Sequence, residues 1–202
     1  MFQARFHGRG GQGVVTAAEM LSVAAFHEDK HAQAFPMFGP DRMGAPVMSF
    51  CRISDHEIRS REPVMDPDVL VIQDPTLLQT PDIFKGLSSK GMVLINTGRD
   101  LATLGIDLVV KRLPPGNVVT LPASEIALEH IKRPLPNTVM LGGLAALSGV
   151  IKLDSVIAAI NETFSGPVAN ANIAAAKAAY ESVASRKNGP DVKKKKRGKR
   201  EC

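Results

Sequence analysis

Residues 6–20 read FHGRGGQGVVTAAEM, a glycine-dense turn that opens straight into an apolar segment. Gly8, Gly10 and Gly13 stand at the spacing G-x-G-x-x-G. Glycines between a strand and a helix let the backbone reach positive φ, bring its N–H groups close to an anion and aim a helix N-terminus at it. Two roles are open for such a turn: to hold the phosphate of a ligand, or to set a tight strand–helix angle against another protein. A full dinucleotide fingerprint also needs an acidic residue about 20 positions on, at the end of the second strand, to hold a ribose. Here that strand, AQAF, ends in Pro36 and Met37, and Glu28 and Asp29 come before it. This argues against an NAD site. No Gly-Lys-Ser/Thr follows the glycines, so a Walker-type phosphate loop fails as well.

A second unusual stretch is FPMFGPDRMGAPV, where Gly39, Pro40, Gly44 and Pro46 stiffen an irregular path that carries Asp41 and Arg42. A guanidinium on such a loop suits a carboxylate, a phosphate or a backbone carbonyl, and equally a local ion pair. Catalytic groupings are poor. The five histidines stand at 7, 27, 31, 56 and 130; His27 and His31 are four apart, in HEDKH, and no metal site is assigned to them. His7 meets the glycine turn, a place for ligand contact or for a plain loop hydrogen bond. Asp66, Asp68 and Asp74 flank one apolar run, where Asp commonly forms turns or caps helices. The hydrolase motif G-x-S-x-G does not occur. No catalytic residue and no metal ligand is assigned, and the chain reads as a supporting subunit.

Cys51 and Cys202 are the only cysteines, too few for a disulfide scaffold or a cysteine-rich cluster site. No apolar run reaches the roughly 18 residues that span a bilayer, and no secretory signal is read at the N-terminus. A reducing cytoplasm is the expected location. The formal charge of +5 is unevenly spread: residues 186–202 carry nine Lys/Arg against two acids, a net of +7, so the rest of the chain is at −2. The run KKKKRGKR has no interleaved aromatic residue to stack on bases, and it reads as a solvated, disordered extension rather than a nucleic-acid site.

The glycine turn needs elements to hold it, and the pattern supplies them. FQARF (2–6) alternates as a first strand, followed by a helix from about Val14 to His27. KHAQAFPMFG and APVMSFCRIS give two further strands, with SDHEIRS as a turn into a short return strand. DVLVIQD (68–74), GMVLINT (91–97) and GNVVTLP (116–122) are near-continuous apolar runs, as in parallel strands covered on both faces. Helices are expected around 76–87, 123–132, 137–149, 153–164 and 170–186. Strands alternating with helices predict a single three-layer α/β domain, Rossmann-like with a mostly parallel sheet, over residues 1–186, and a basic tail over 187–202.

Two of these helices are apolar nearly all round. Val14–Phe26 is interrupted only by Thr16, Glu19 and Ser22, and TVMLGGLAALSGVI (138–151) carries no charge. A helix on one face of a sheet should show a broad polar side to water. The expectation is that part of this apolar surface meets another chain; burial by neighbouring helices is the alternative.

Four blocks, GRGGQGVVTAAEML, QAFPMFGPDRMGAPVMSFCRIS, IRSREPVMDPDVLVIQDPTLL and NTVMLGGLAALSGVIKLDSVIAAI, resemble the gamma subunit of 2-oxoacid:ferredoxin oxidoreductases, in order, from residue 3 to about 182. The likeness is greatest to the pyruvate type (pyruvate synthase), whose pattern F-G-P-E-R-x-G-A-P-V is similar to FGPDRMGAPV here. Asp41 replaces the usual Glu, and Met43 stands where Arg is frequent, so branched-chain or aromatic 2-oxo acids such as phenylglyoxylate stay open as substrates. The resemblance implies a complex with alpha, beta and delta partners. In such complexes, the resemblance implies, thiamine diphosphate and its Mg ion lie between the alpha and beta chains, and [4Fe-4S] clusters lie in beta and delta. Coenzyme A accepts the acyl group, and ferredoxin or an NAD-reducing subunit takes the electrons. The resemblance also implies that this chain packs near the coenzyme A entrance. Gly8, Gly10, Gly11, Gln12 and Gly13, with Thr16 and Arg42 as helpers, are then the candidate contacts to coenzyme A. The rival role for the turn is interface geometry, and the rival function is a stand-alone Rossmann-type nucleotide-binding protein.

Overall fold

A computed structural model describes residues 1–37, 44–60, 62–80 and 82–187. Residues 38–43, Arg42 among them, and the basic segment from 188 on lie outside the described residues. Strand β1 (Phe2–Arg9) runs three residues further than its alternating pattern indicated and delivers the chain to the glycine turn. It is followed by α1 (Val14–Phe26), β2 (His31–Met37), β3 (Pro46–Ser54), β4 (Val69–Ile72), β5 (Met92–Asn96), α2 (Asp107–Arg112), β6 (Val118–Leu121), α3 (Ala123–Ile131), α4 (Asn137–Ser148), α5 (Leu153–Thr163) and α6 (Gly166–Lys187). The six strands form one sheet in the order β2-β3-β1-β4-β5-β6. β1, β4, β5 and β6 pair in parallel, while β3 is antiparallel to both β1 and β2. The expected three-layer, mostly parallel α/β domain is what forms.

Alternation along the strands divides the core. Ala4, Phe6, Val69, Val71 and Leu94 face α1, α3, α4, α5 and α6. Leu70, Ile72, Val93 and Ile95 face the other way, onto Leu77, Ile83, Leu87, Leu104, Ile106 and Leu113. The second layer is thin. The segment expected as a helix over 76–87 is instead a short 3-10 turn, Pro75–Gln79, followed by further turns. Asp82 sits at φ 67°, a left-handed conformation that ends any helix there. No return strand follows SDHEIRS among the described residues. In its place Arg52 donates to the carbonyls of Ser60 (3.5 Å) and Glu62 (2.5 Å), and Arg5 donates to Ile83 O at 3.0 Å and Lys85 O at 2.7 Å, binding loops to the sheet. Helix α2 had no counterpart in the pattern; six residues are too few to show a period.

The two apolar helices are explained within the domain. α4 lies between the sheet and α6, with all but Ala146 and Ser148 of its residues buried. A Cβ on Gly142 would collide with the backbone of Ala176, and one on Gly143 would stand 2.8 Å from Leu121 Cδ2. These two glycines let α6 and the sheet close on α4 from opposite sides. α1 is buried against β2, β3 and α5, leaving Glu19 and Phe26 exposed. The expectation that these faces need another chain is therefore corrected: α6 covers α4 and α5 covers α1, which a count of residues does not reveal.

Candidate functional site

The connections reverse direction between β1 and β4: after β1 the chain winds towards β2 and β3, and after β4 towards β5 and β6. In an open α/β sheet a ligand crevice forms at such a switch point, outside the carboxyl ends of the strands. The glycine turn stands there. Gly11 and Gly13 take φ of 94° and 70°, conformations that an L side chain resists. Gly13 is the N-cap of α1, and no side chain caps that helix, so its first N–H groups, from Val14 to Thr16, point outward from the N-terminus. Gly8 allows close approach, because a Cβ there would stand 2.6 Å from Val14 Cγ2 and 3.2 Å from Gln73 Cβ.

Part of the turn is already saturated. Gln12 Oε1 accepts from Arg9 N–H at 2.8 Å, and Gln12 N–H donates to Arg9 O at 3.1 Å. Gly10 N–H donates to Ala45 O at 2.9 Å, and Gly44 N–H donates to Gly10 O at 3.3 Å, fastening the turn to the start of β3. Gln12 Nε2 donates to Asp74 Oδ2 at 2.9 Å. Asp74 also accepts from Thr76 N–H at 2.9 Å and from its hydroxyl at 2.6 Å, and Arg9 Nε lies 3.3 Å from Oδ2. Arg9 further donates to Thr76 Oγ1 at 2.8 Å and to Gly44 O at 3.0 Å. Burial would raise the Asp74 pKa, but the bonds from Thr76 and Gln12, with the charge of Arg9, hold it below the usual carboxylate range. The acid at this site is thus neutralised locally and leaves the outward donors of α1 free to meet an anion.

Of the residues read from sequence, the structure gathers Gly8, Gly10, Gly11, Gln12, Gly13 and Thr16 in one turn and the first helical turn after it; Arg42 lies outside the described residues. His7 is not part of this group. It is buried on the opposite face of β1, where its Nε2 accepts from Arg5 Nε at 3.1 Å. Burial and the neighbouring Arg5 charge push its pKa down to about 4, so it is neutral. Asp74 does cap a helix, at the 3-10 turn, as its position suggested. What the sequence reading missed is that Arg9, Asp74 and Thr76 brace Gln12. The available signal was positional: β4 and β5 end in Gln73-Asp74 and Asn96-Thr97, polar pairs at the carboxyl ends of parallel strands. Asn96 uses its side chain to accept from Ser124 N–H at 3.0 Å and so closes the start of α3.

Among the described residues no group of three His, Cys, Asp or Glu gathers to hold a metal. Cys51 is buried, with its thiol pKa pushed up by burial, far from thiolate character. An iron–sulfur cluster takes four thiolates, and the whole chain has two cysteines. These residues do not fit a cluster. No helix among the described residues is long and apolar enough to cross a membrane.

Fold and site together define a Rossmann-like α/β domain with an anion-ready glycine turn at its switch point. The chain belongs to the pyruvate ferredoxin/flavodoxin oxidoreductase family, whose model matches residues 3–182, and it is a gamma-type subunit. It is 46% identical over 183 residues to the pyruvate synthase subunit PorC of Methanothermobacter marburgensis, covering 91% of this chain and 98% of the relative. Over 180 residues it is 46% identical to the pyruvate/ketoisovalerate oxidoreductases common subunit gamma of Thermococcus kodakarensis, covering 89% of this chain and 96% of the relative. The crystal structure of the pyruvate oxidoreductase subunit PORC of Thermotoga maritima matches with TM-score 0.75 at 40% identity, over 89% of this chain and 95% of that one. A 2-oxoglutarate:ferredoxin oxidoreductase from Magnetococcus marinus, solved with 2-oxoglutarate, coenzyme A and succinyl-CoA bound, shares the fold alone. Its TM-score is 0.69 at 19% identity, over 91% of this chain and 31% of that longer one.

Proposed function

We propose that the chain works as the gamma subunit of a coenzyme A- and thiamine diphosphate-dependent complex that oxidatively decarboxylates a 2-oxo acid, pyruvate first, to the acyl-CoA. Branched-chain 2-oxo acids are the next candidates, since one relative is named as common to pyruvate and ketoisovalerate enzymes. Asp41 and Met43 depart from the pyruvate-type pattern, which leaves aromatic acids such as phenylglyoxylate open as substrates. In this reading thiamine diphosphate, Mg and the [4Fe-4S] clusters belong to alpha, beta and delta partners, where they supply decarboxylation and one-electron transfer to ferredoxin or an NAD-reducing subunit. This chain brings no complete active site and operates in the cytoplasm. Its domain is read as residues 1–186, and residues 187–202 follow as a basic extension with no assigned function.

The chain's own part is to border coenzyme A. The observation that carries this is the uncapped start of α1 at the switch point, opened by Gly13 and kept close to the sheet by Gly8. Outward N–H groups and the positive end of the helix suit a phosphate oxygen or a pantetheine carbonyl. Gln12 and Thr16 flank that opening, and Arg42 is the candidate for a second phosphate contact. The test is to purify the native assembly through a tag on this chain and assay a panel of 2-oxo acids for acyl-CoA formation. Co-purification of thiamine- and cluster-binding partners with coenzyme A-dependent turnover of pyruvate supports the reading. A lone chain that binds NAD or another nucleotide and recruits no partner contradicts it.

A further inference from the structure

Gln73, at the end of β4, is fully buried, and neither Nε2 nor Oε1 of its side-chain amide meets a hydrogen-bond partner on the protein. Its main chain is satisfied: the N–H donates to His7 O at 2.7 Å, and the carbonyl accepts from Asn96 Nδ2 at 2.8 Å. A buried amide with both ends unmet is costly, and a methionine of similar length would fill such a place without that cost. Buried polar groups of this kind normally have a partner.

The surroundings show where that partner stands. Val69 and Val71 face the helical layer, so Gln73, two residues on from Val71, points the same way. The place of a Cβ on Gly8 is 3.2 Å from Gln73 Cβ and 2.6 Å from Val14 Cγ2, which puts Gln73 beneath the first residue of α1. Gly13, one residue earlier, is pressed by Asn137, the first residue of α4, whose Nδ2 lies 2.6 Å from the place of a Cβ on Gly13. Neither α1 nor α4 has a side-chain cap. Ile72 pairs with Ile95, so Gln73 neighbours Asn96 across the sheet, and Asn96 closes the start of α3 directly. Gln73 occupies the matching place below α1, beside which Asn137 begins α4, without closing either helix.

We infer that the Gln73 amide holds one buried water molecule, which links the end of β4 to the uncapped starts of α1 and α4 beneath the glycine turn. The chemistry selects water. An anion would be taken by Nε2 and repelled by Oε1, and a cation would meet the reverse. A water accepts from the first, donates to the second, and keeps capacity for helix N–H groups or for Asn137. Gln73 is then a positioning residue, setting the turn through solvent. This inference stands whether or not the turn borders coenzyme A.

The test is a crystal structure of the full chain at a resolution that shows single waters, beside thermal melts of the wild type and of Gln73→Met. The expected result is one water-sized peak about 2.7–3.2 Å from both amide atoms. The peak is absent in Gln73→Met, and that variant melts about 2–4 °C lower. Three results overturn the inference: density too large for one water, both amide atoms paired to protein groups with no solvent between them, or a Gln73→Met variant that melts at or above the wild type. The last would mean that the amide was simply unmet. If Gln73→Met does not fold, the wild-type density decides.

Discussion

Gln12 Nε2 donates to Asp74 Oδ2 at 2.9 Å, tying the glycine turn to the end of a strand 62 residues further along the chain. Through this bond the conformation of the turn depends on a carboxylate that Arg9 and Thr76 also hold. Asp74→Ala leaves three sets of donors without their acceptor, and the expected cost is about 1–3 kcal/mol. Hydrogen exchange should quicken at the amides of residues 9–15, while those of β5 keep their protection. Because the folded pKa of Asp74 is depressed, its contribution to stability is present above its unfolded value and lost as pH falls below about 4. Asp74→Ala should flatten that acid limb in a denaturation series.

His7 gives a second pH dependence in a different window. Its folded pKa is about 4, lowered by burial and by Arg5, against about 6.5 when unfolded. Between these values the unfolded chain binds a proton that the folded chain does not. Stability is therefore full above about pH 6.5 and falls as pH drops towards 4, by at most about 3 kcal/mol. His7→Gln keeps an acceptor for Arg5 without titrating, and it should remove this slope. An unchanged slope between pH 6.5 and 4 would contradict the assignment.

Gly142, in the middle of α4, and Gly149, at its C-cap, should respond unequally. Gly142→Ala places a methyl against the backbone of Ala176 and forces α4 and α6 apart, at about 3 kcal/mol. Gly149, the C-cap of α4 at φ 66°, has nothing within 4 Å of an added Cβ, so Gly149→Ala costs only the left-handed backbone strain, about 1 kcal/mol. Urea midpoints of the two variants measure the difference.

The sheet was legible because DVLVIQD and GMVLINT carry short unbroken apolar runs, VLVI and MVLI, bounded by polar residues or glycine, as strands covered on both faces do. The glycine turn was legible because positive φ has one cheap residue. The partners of the turn were not. Asp74 and Thr76 lie more than 60 positions from Gln12, and only the parallel pairing of β1 with β4 brings them together. The apolar faces of α1 and α4 misled for a related reason. α4 is covered by α6, through the fit of Gly142 to Ala176, and α1 by α5, β2 and β3, and neither packing follows from a period within the helix. Residues 76–87 look amphipathic as TLLQTPDIFKGL, yet the proline at 81 and the left-handed Asp82 oppose a helix.

Steady-state kinetics of the purified complex carrying Gln12→Ala test the proposed contact between the glycine turn and coenzyme A. The expected KM for coenzyme A is raised about tenfold, with the KM for the 2-oxo acid and kcat at saturating coenzyme A close to wild type. A coenzyme A KM equal to that of the wild-type complex would contradict that contact.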